Sequence, residues 1–305
     1  MKFVSFNIQY GFGLDGRYDL ERAAAAVAGA DVIALQEVER HWLRTGEDDQ
    51  PELLSRLLPD YFWVYGPAYD MDAGRREADG RVVNRRRQFG TMLLSRLPIV
   101  WSRLHALPMR RMVRPLNTRN PALEGLIRTP AGPLRVFSIH LAHVGVEERL
   151  EEIAYLKEQH RRVPFEGGPW SGSDDEPQRN WTNDEPEPEA PLAAIWMGDF
   201  NCEPGGDEYY AVAGRQTHRP NAAYHDAFVD AAVAAGQAAT VGHSHFRIFE
   251  GREQKRRLDY IFVGGMLAGR VRSVRIDTEC PASDHFPVWA EIDLDTPAAG
   301  TSGLG

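Results

Sequence analysis

Cysteine is nearly absent: Cys202 and Cys280 are the only two in 305 residues, and no CxxC pair occurs. That excludes a disulfide framework and argues against a zinc site built on thiolates. No apolar run approaches the roughly 20 residues that a membrane-spanning helix needs. The opening "MKFVSFNIQYGFG" has neither the long apolar core nor the cleavage-site pattern of a signal peptide. A cytoplasmic setting and a chain without a membrane span are therefore expected. Positive charge is also short, with 35 Lys and Arg against 44 Asp and Glu and a formal net charge of −9. That balance weighs against broad, non-specific nucleic-acid binding, which depends on cations meeting phosphates. It leaves a local basic patch open.

What is present is ordinary globular material, 43% hydrophobic and 26% charged, long enough for one large α/β domain or two small ones. "KFVSFN" reads as a strand at the start, and Asp19 as the N-cap of an Ala-rich helix, "LERAAAAVAGA". "DVIALQE" is a buried strand and "PELLSRLL" a short helix; "FGTMLLS" and "LPIVWSRLHAL" are strands split by Arg96. "ALEGLIRTPAGPLRVFSIHLAH" predicts a hairpin turning at "PAGP", followed by a helix over "GVEERLEEIAYLKEQHRRV". Near the C-terminus "HFRIFE", "RRLDYIFV", "RVRSVRID" and "FPVWAEIDL" are strand-like. A single domain over residues 1–294 is expected, interrupted by an insert at about 164–191 rich in Gly, Pro, Trp, Asp and Glu. Residues 295–305 read as a disordered tail of small residues. A monomer is expected.

One polar pattern recurs. Ile195, Trp196 and Met197 form an apolar run that Gly198 closes, and Asp199 and Asn201 follow at once. A turn accounts for that pair taken alone. Yet Asn7 ends "FVSFN", Glu37 ends "DVIALQE", and His140 ends "RVFSIH". Asp259 opens "YIFV", and Asp284 and His285 precede "FPVWAEI". Each has a plain structural reading: a turn asparagine, a solvated glutamate, a hydrogen-bonded histidine. Together they make a joint chemical set, oxygen ligands for a hard divalent cation plus a His–Asp pair. Strand ends are where open α/β sheets bind ligands.

In that order, Asn…"QE"…"HL"…"GDFN"…"LDYIF"…"SDH" resembles the endonuclease/exonuclease/phosphatase (DNase I-like) superfamily of metal-dependent phosphoesterases, from residue 3 to about 292. The resemblance implies an α/β four-layer sandwich of two mixed β-sheets flanked by helices, which the run of elements allows without singling out. It implies Glu37 as the principal Mg²⁺ ligand, with Mn²⁺ as a substitute, Asn7 beside it, and Asp284 as an acid of a second metal site or water network. Asp199 would hold or deprotonate the attacking water, and Asn201 would orient that water or a phosphate oxygen. His285 would donate to the scissile phosphate, kept in its useful tautomer by Asp259, with His140 a second phosphate-binding histidine. Whether Asp199 or His285 takes the proton stays open, because close groups titrate together.

The substrate is less legible, since this superfamily handles nucleic acids, nucleotides, inositol phosphates and phospholipid head groups. Two basic clusters, residues 74–88 and 109–120, stand out against the acidic total. Arg85, Arg86, Arg114 and Arg119 are the candidates there for gripping an anionic phosphoester, set against the plainer reading of solvated loops. The insert, with Trp170 and Trp181, is acidic and is expected to cover one side of the pocket and select against long polyanions. The sequence favours a hydrolase of a small or head-group phosphoester over an endo- or exonuclease acting on DNA or RNA. A non-catalytic scaffold binding phosphorylated ligands would be expected to have lost site residues, and none is missing. Cys202 reads as a small buried thiol. His143 is equally a pocket member or a packing residue.

Overall fold

In this computed structural model the described residues are 1–176, 178–215 and 224–295. The chain runs β1 (Lys2–Asn7), α1 (Leu20–Val27), β2 (Val32–Arg40), α2 (Gln50–Leu57), β3 (Phe62–Asp72), β4 (Arg75–Arg76), β5 (Val82–Val83), β6 (Arg86–Ser95) and β7 (Ile99–Ala106). It continues β8 (Pro121–Thr129), β9 (Gly132–His140), α3 (Val146–Glu166), β10 (Ala194–Asp199), α4 (Asp207–Ala213), β11 (Phe228–Asp230) and α5 (Ala231–Ala234). Last come β12 (His245–Phe249), β13 (Arg252–Arg256), β14 (Asp259–Gly264), β15 (Val271–Ile276) and β16 (Val288–Ile292).

Two six-stranded sheets form, ordered β15-β16-β1-β2-β6-β3 and β11-β14-β10-β9-β8-β7. Each is mixed, with one parallel pair, β1 with β2 and β9 with β10. They stack face to face, β1 over β10 and β2 over β9. Helices cover the outer faces, so the four-layer α/β sandwich implied by the resemblance is the fold.

Period-2 alternation assigns the residues of the inner strands to layers, except where a bulge intervenes. Phe3 of β1, Val136 of β9, Ile195 and Met197 of β10 and Ile261 of β14 fill the core between the sheets. Their neighbours Val4, Phe6, Ile33 and Leu35 face outward onto α1 and α2. On the other side Phe137, Ile139, Trp196, Tyr260 and Phe262 face α3 and α4. Each fully buried Val, Leu, Ile or Phe side chain contributes about 1.5–3 kcal/mol. Helix α1 fits its layer because Leu20, Ala23, Ala24 and Val27 share one buried face. Asp19 caps it, its carboxylate accepting the Arg22 N–H at 3.2 Å.

Two sequence expectations change. Residues 62–72, to which the pattern assigns no element, form the eleven-residue strand β3. Gly66 and Pro67 argue against an inner strand, but β3 is an edge, and its register shifts between Pro67 and Tyr69. None of the described residues of the acidic insert lines the pocket. The insert leads from α3 into the start of β10, the end opposite Asp199, and packs on β7 and β8: Trp101 donates to the Glu189 carbonyl at 3.1 Å, and Arg128 pairs with Glu189 at 3.0 Å. Residues 296–305 of the expected tail lie outside the described residues.

Candidate active site

The inner-face parity that builds the core also builds the site. Along β1 the inward residues are Phe3, Ser5 and Asn7; along β10 they are Ile195, Met197 and Asp199. On β9 the inward series Leu134, Val136, Ser138 ends on His140, and on β14 Ile261 is preceded inward by Asp259. Asp199 pairs laterally with His140 on one side and Asp259 on the other. At this end of the sandwich the inward positions turn from apolar to polar. Just beneath, Gln36 donates to Ser138 Oγ at 3.0 Å, tying one sheet to the other.

Glu37 breaks the parity. Leu35 faces outward, so simple alternation would send Glu37 outward as well. The β2–β6 register slips between Leu35 and Val38, and Val38 rejoins the outer cluster. Glu37 takes up the slack at φ 59°, a left-handed conformation that costs a non-glycine residue about 1 kcal/mol or more. The bulge re-aims its carboxylate into the cleft. Asn201, at φ 49°, is left-handed as well, a conformation asparagine tolerates. Gly198 does not end its strand as the sequence suggests. It lies within β10, where an added Cβ would sit 1.9 Å from the Ile139 carbonyl oxygen.

These groups line a cleft of about 480 Å³ holding Glu37, His140, His143, Asp199, Asn201, Asp284 and His285. Asn7 bridges two of the acids, its Nδ2 donating to Glu37 Oε1 at 3.0 Å and Asp199 Oδ2 at 3.1 Å. Its carbonyl accepts the Gln9 N–H at 3.0 Å, which fixes the amide orientation. Asn7 as arranged is thus a clamp between carboxylates. Asp199 Oδ1 accepts the Asn201 N–H at 2.9 Å, and Asn201 Nδ2 donates to the Leu141 carbonyl at 2.9 Å. Asp199 Oδ2 lies 3.7 Å from Nε2 of both His140 and His285. His140 Nε2 is also 3.8 Å from Glu37 Oε1.

Behind His285, Asp259 Oδ2 meets the ring Nδ1 at 2.8 Å and also accepts from Ser244 Oγ at 2.8 Å. The ring is buried, which alone would lower its pKa, but the carboxylates of Asp259, Asp199 and Asp284 outweigh this and raise it well above the ordinary value. The surrounding carboxylates thus favour the protonated ring. Burial raises the Asp259 carboxyl above its usual range, with His285 opposing. Asp284 is raised too, by burial first.

A hard divalent cation fits this arrangement. Glu37 Oε2 is buried without a hydrogen-bond partner, and Glu37, His140 and Asp199 present ligand atoms within 4.8 Å of one another. Several acids crowded into one cleft also call for a counter-charge that the protein supplies only in part.

The four arginines singled out by sequence are not among the cleft's lining residues. Arg85 pairs with Glu47 at 3.1 Å and Arg86 with Asp70 at 2.8 Å, while Arg119 donates to the Leu107 carbonyl at 2.8 Å. Arg114 sits in the β7–β8 loop, which reaches the cleft through Leu116, Thr118 and Asn120 instead. The guanidinium groups that line the cleft are Arg44 and Arg247, joined by Tyr10, Trp42, Tyr69 and Phe89. No spacing rule pointed to them, because they come from loops and a hairpin that only the tertiary fold brings to the mouth. His245, which pairs backbone to backbone with His285, was missed for the same reason. Cys202 is buried, with its thiol pushed up to about 12 by burial, in keeping with an inert packing role.

Two mixed sheets sandwiched between helices, with carboxylates, amides and imidazoles converging at shared strand ends, define the DNase I-like architecture. The chain belongs to the Endonuclease/Exonuclease/phosphatase family, whose sequence profile matches residues 4–285. No curated protein matches it in sequence. Among solved structures it is similar to an endonuclease/exonuclease/phosphatase from Beutenbergia cavernae (19% identity, 98% of this chain and 72% of that one, TM-score 0.62). It is also similar to a mannosyl-6-phosphatase from Bacteroides thetaiotaomicron (18% identity, 96% and 99%, TM-score 0.57). A third similar structure is a 3′ phosphatase from Neisseria bound to product DNA hairpin (16% identity, 96% and 99%, TM-score 0.55). Members of the family hydrolyse phosphoesters. Among the described residues no helix is long and apolar enough to cross a membrane.

Proposed function

We propose that this protein is a divalent-metal-dependent hydrolase of a small or head-group phosphate ester. The observation that carries the reading is the meeting of Asp199 with the Asp259–His285 pair and the Glu37 carboxylate in one cleft. A cleft of about 480 Å³ falls in the range of small-molecule pockets, roughly 300–1,000 Å³.

Glu37 is the principal ligand for Mg²⁺, with Mn²⁺ able to replace it, and Asp284 is the acid of a further metal or water position. A bound divalent ion would neutralise phosphate charge and polarise the phosphorus for attack. Asp199 aims the attacking water through Oδ2, opposite His285 Nε2 at 3.7 Å, and accepts its proton. Asn7 fixes the Asp199 and Glu37 carboxylates against each other. Asn201 is held by its bond to the Leu141 carbonyl, ready to orient the water or a phosphate oxygen. His285 Nε2–H donates to a non-bridging phosphate oxygen as charge builds there, and His140 serves as the second donor on the same side. As the water's proton passes to Asp199 its oxygen bonds to phosphorus, the ester P–O bond breaks with its electron pair on the departing oxygen, and that oxygen takes a proton from solvent water.

Hydrolysis of p-nitrophenyl phosphate, bis-p-nitrophenyl phosphate and single-stranded DNA, each with Mg²⁺ and with EDTA, tests this reading. Turnover of the small esters, abolished by EDTA, is expected. DNA cleavage much faster than either small ester would move the assignment to a nuclease. No turnover of any of them would return the protein to a phospholigand-binding role.

A further inference from the structure

Next to the reaction centre lies a second cavity of about 570 Å³. Tyr10, Arg44, Arg247 and Asp284 line both spaces and so form the wall between them. Two of those four are guanidinium groups, and they are held differently. Arg44 is fixed in place: its Nε and Nη2 donate to the buried Glu39 carboxylate at 3.0 and 2.5 Å, and its guanidinium stacks 3.8 Å from the Tyr10 ring centre. That leaves its Nη1 edge for a ligand. Arg247 projects from β12, its Nε donating to Gln254 Oε1 at 2.8 Å. Among the described residues it has no carboxylate partner. The rest of the second cavity is mainly uncharged, with Phe12, Leu14, Phe246 and Ile248.

We propose that Arg44 and Arg247 form a second anion subsite, so that the favoured substrate carries a further anionic group, phosphate or carboxylate, beyond the scissile phosphate. This rests on the hydrolytic reading for its function, but not for its geometry. A prearranged guanidinium edge suits bidentate contact with a phosphate or carboxylate. The uncharged faces of the cavity accept the carbon skeleton between the two anions. An ordinary monoester would fill the reaction centre and leave this space to water.

Fructose 1,6-bisphosphate and fructose 6-phosphate, which differ by one phosphate, provide the probe. Calorimetric titration in EDTA, where turnover is stopped, should show the bisphosphate binding at least ~10-fold more tightly to the wild-type protein, the effect of one added charge-assisted contact. Arg247→Gln should weaken the bisphosphate at least ~10-fold and the monophosphate no more than ~3-fold. Arg247→Lys, which keeps the charge but not the fork, should fall between. Thermal melts establish that both variants are folded, and Arg247 lies on an exposed hairpin where folding is not at stake. Equal binding of the two sugars by wild type, or equal losses for both in Arg247→Gln, overturns the subsite. Phosphate release with Mg²⁺ on the same pair separates the two readings. A binding preference without hydrolysis removes the enzymatic reading and keeps the subsite, and hydrolysis without a preference does the reverse.

Discussion

Asp199 Oδ2 and His285 Nε2 face each other at 3.7 Å, too far apart for a direct hydrogen bond and close enough for both to touch one bound oxygen. Three carboxylates around His285 favour its protonated form, and Asp199 stands opposite it where a bound water would give up its proton. Asp199→Asn should lower kcat at least ~10²-fold, the usual contribution of a positioned acid–base group. KM for p-nitrophenyl phosphate should move far less. A variant with kcat within fivefold of wild type would remove Asp199 from the proton transfer.

The Asp259–His285 pair predicts a pH signature. His285 has a folded pKa above its unfolded value, so the stability its own charge contributes is present below about 6.5 and is lost as pH rises through the folded pKa. The pair itself also weakens on the acid side as Asp259, raised to about 6, takes up a proton. Asp259→Asn removes the strongest of the groups that raise the His285 pKa. The alkaline limb of the kcat profile should then move to lower pH, with kcat at neutral pH down ~10- to 100-fold. Mg²⁺ affinity, measured by calorimetry, should stay within threefold. Collapse of Mg²⁺ binding would make Asp259 a ligand instead.

Glu37 tests the cation. Glu37→Gln keeps the shape of the side chain while removing the charge of its unpartnered Oε2. The Mg²⁺ concentration for half-maximal activity should rise at least ~10-fold, with activity partly restored at high Mg²⁺. EDTA should abolish wild-type turnover, and either Mg²⁺ or Mn²⁺ should restore it. Full activity in EDTA would end the metal-dependent mechanism.

Far from the cleft, Arg135 and Glu124, both with fully buried side chains, pair at 2.8 Å, and Glu124 also meets His105 at 2.9 Å. Glu124→Gln leaves the Arg135 charge buried and underpaired, which should cost about 3–5 kcal/mol in urea unfolding. A loss under 1 kcal/mol would mean that water reaches the pair.

His160, whose Nδ1 meets Arg135 Nη2 at 2.7 Å, is pushed down to about 3 by burial and by that guanidinium. It is neutral when folded, so its contribution is present above about 6.5 and is lost as pH falls from there towards about 3. His160→Gln keeps an acceptor for Arg135 and should flatten the decline of unfolding free energy across that window by up to ~1.4 kcal/mol per pH unit. An unchanged slope would show that the histidine is solvated in the native state.

The sequence by itself determined most of the inner strands and four of the polar residues that end them. Apolar runs such as "FVSFN" and "AAIWMGDFN" need burial, and Asn7, His140, Asp199 and Asp259 are polar where burial should continue. Those contrasts are local and survive in one dimension. The bulge that turns Glu37 into the cleft depends on the pairing of β2 with β6, which no local pattern encodes. The arginines divide on the same ground. Arg85 and Arg86 stand in a conspicuous basic run yet are tied to Glu47 and Asp70, while the cleft takes Arg44 and Arg247 from segments that meet only when the two sheets stack. The insert lies close to Asp199 in sequence but not in space. A strand carries its two ends about 3.3 Å apart per residue, so a segment entering β10 at Ala194 arrives at the far end of the sandwich from the chemistry.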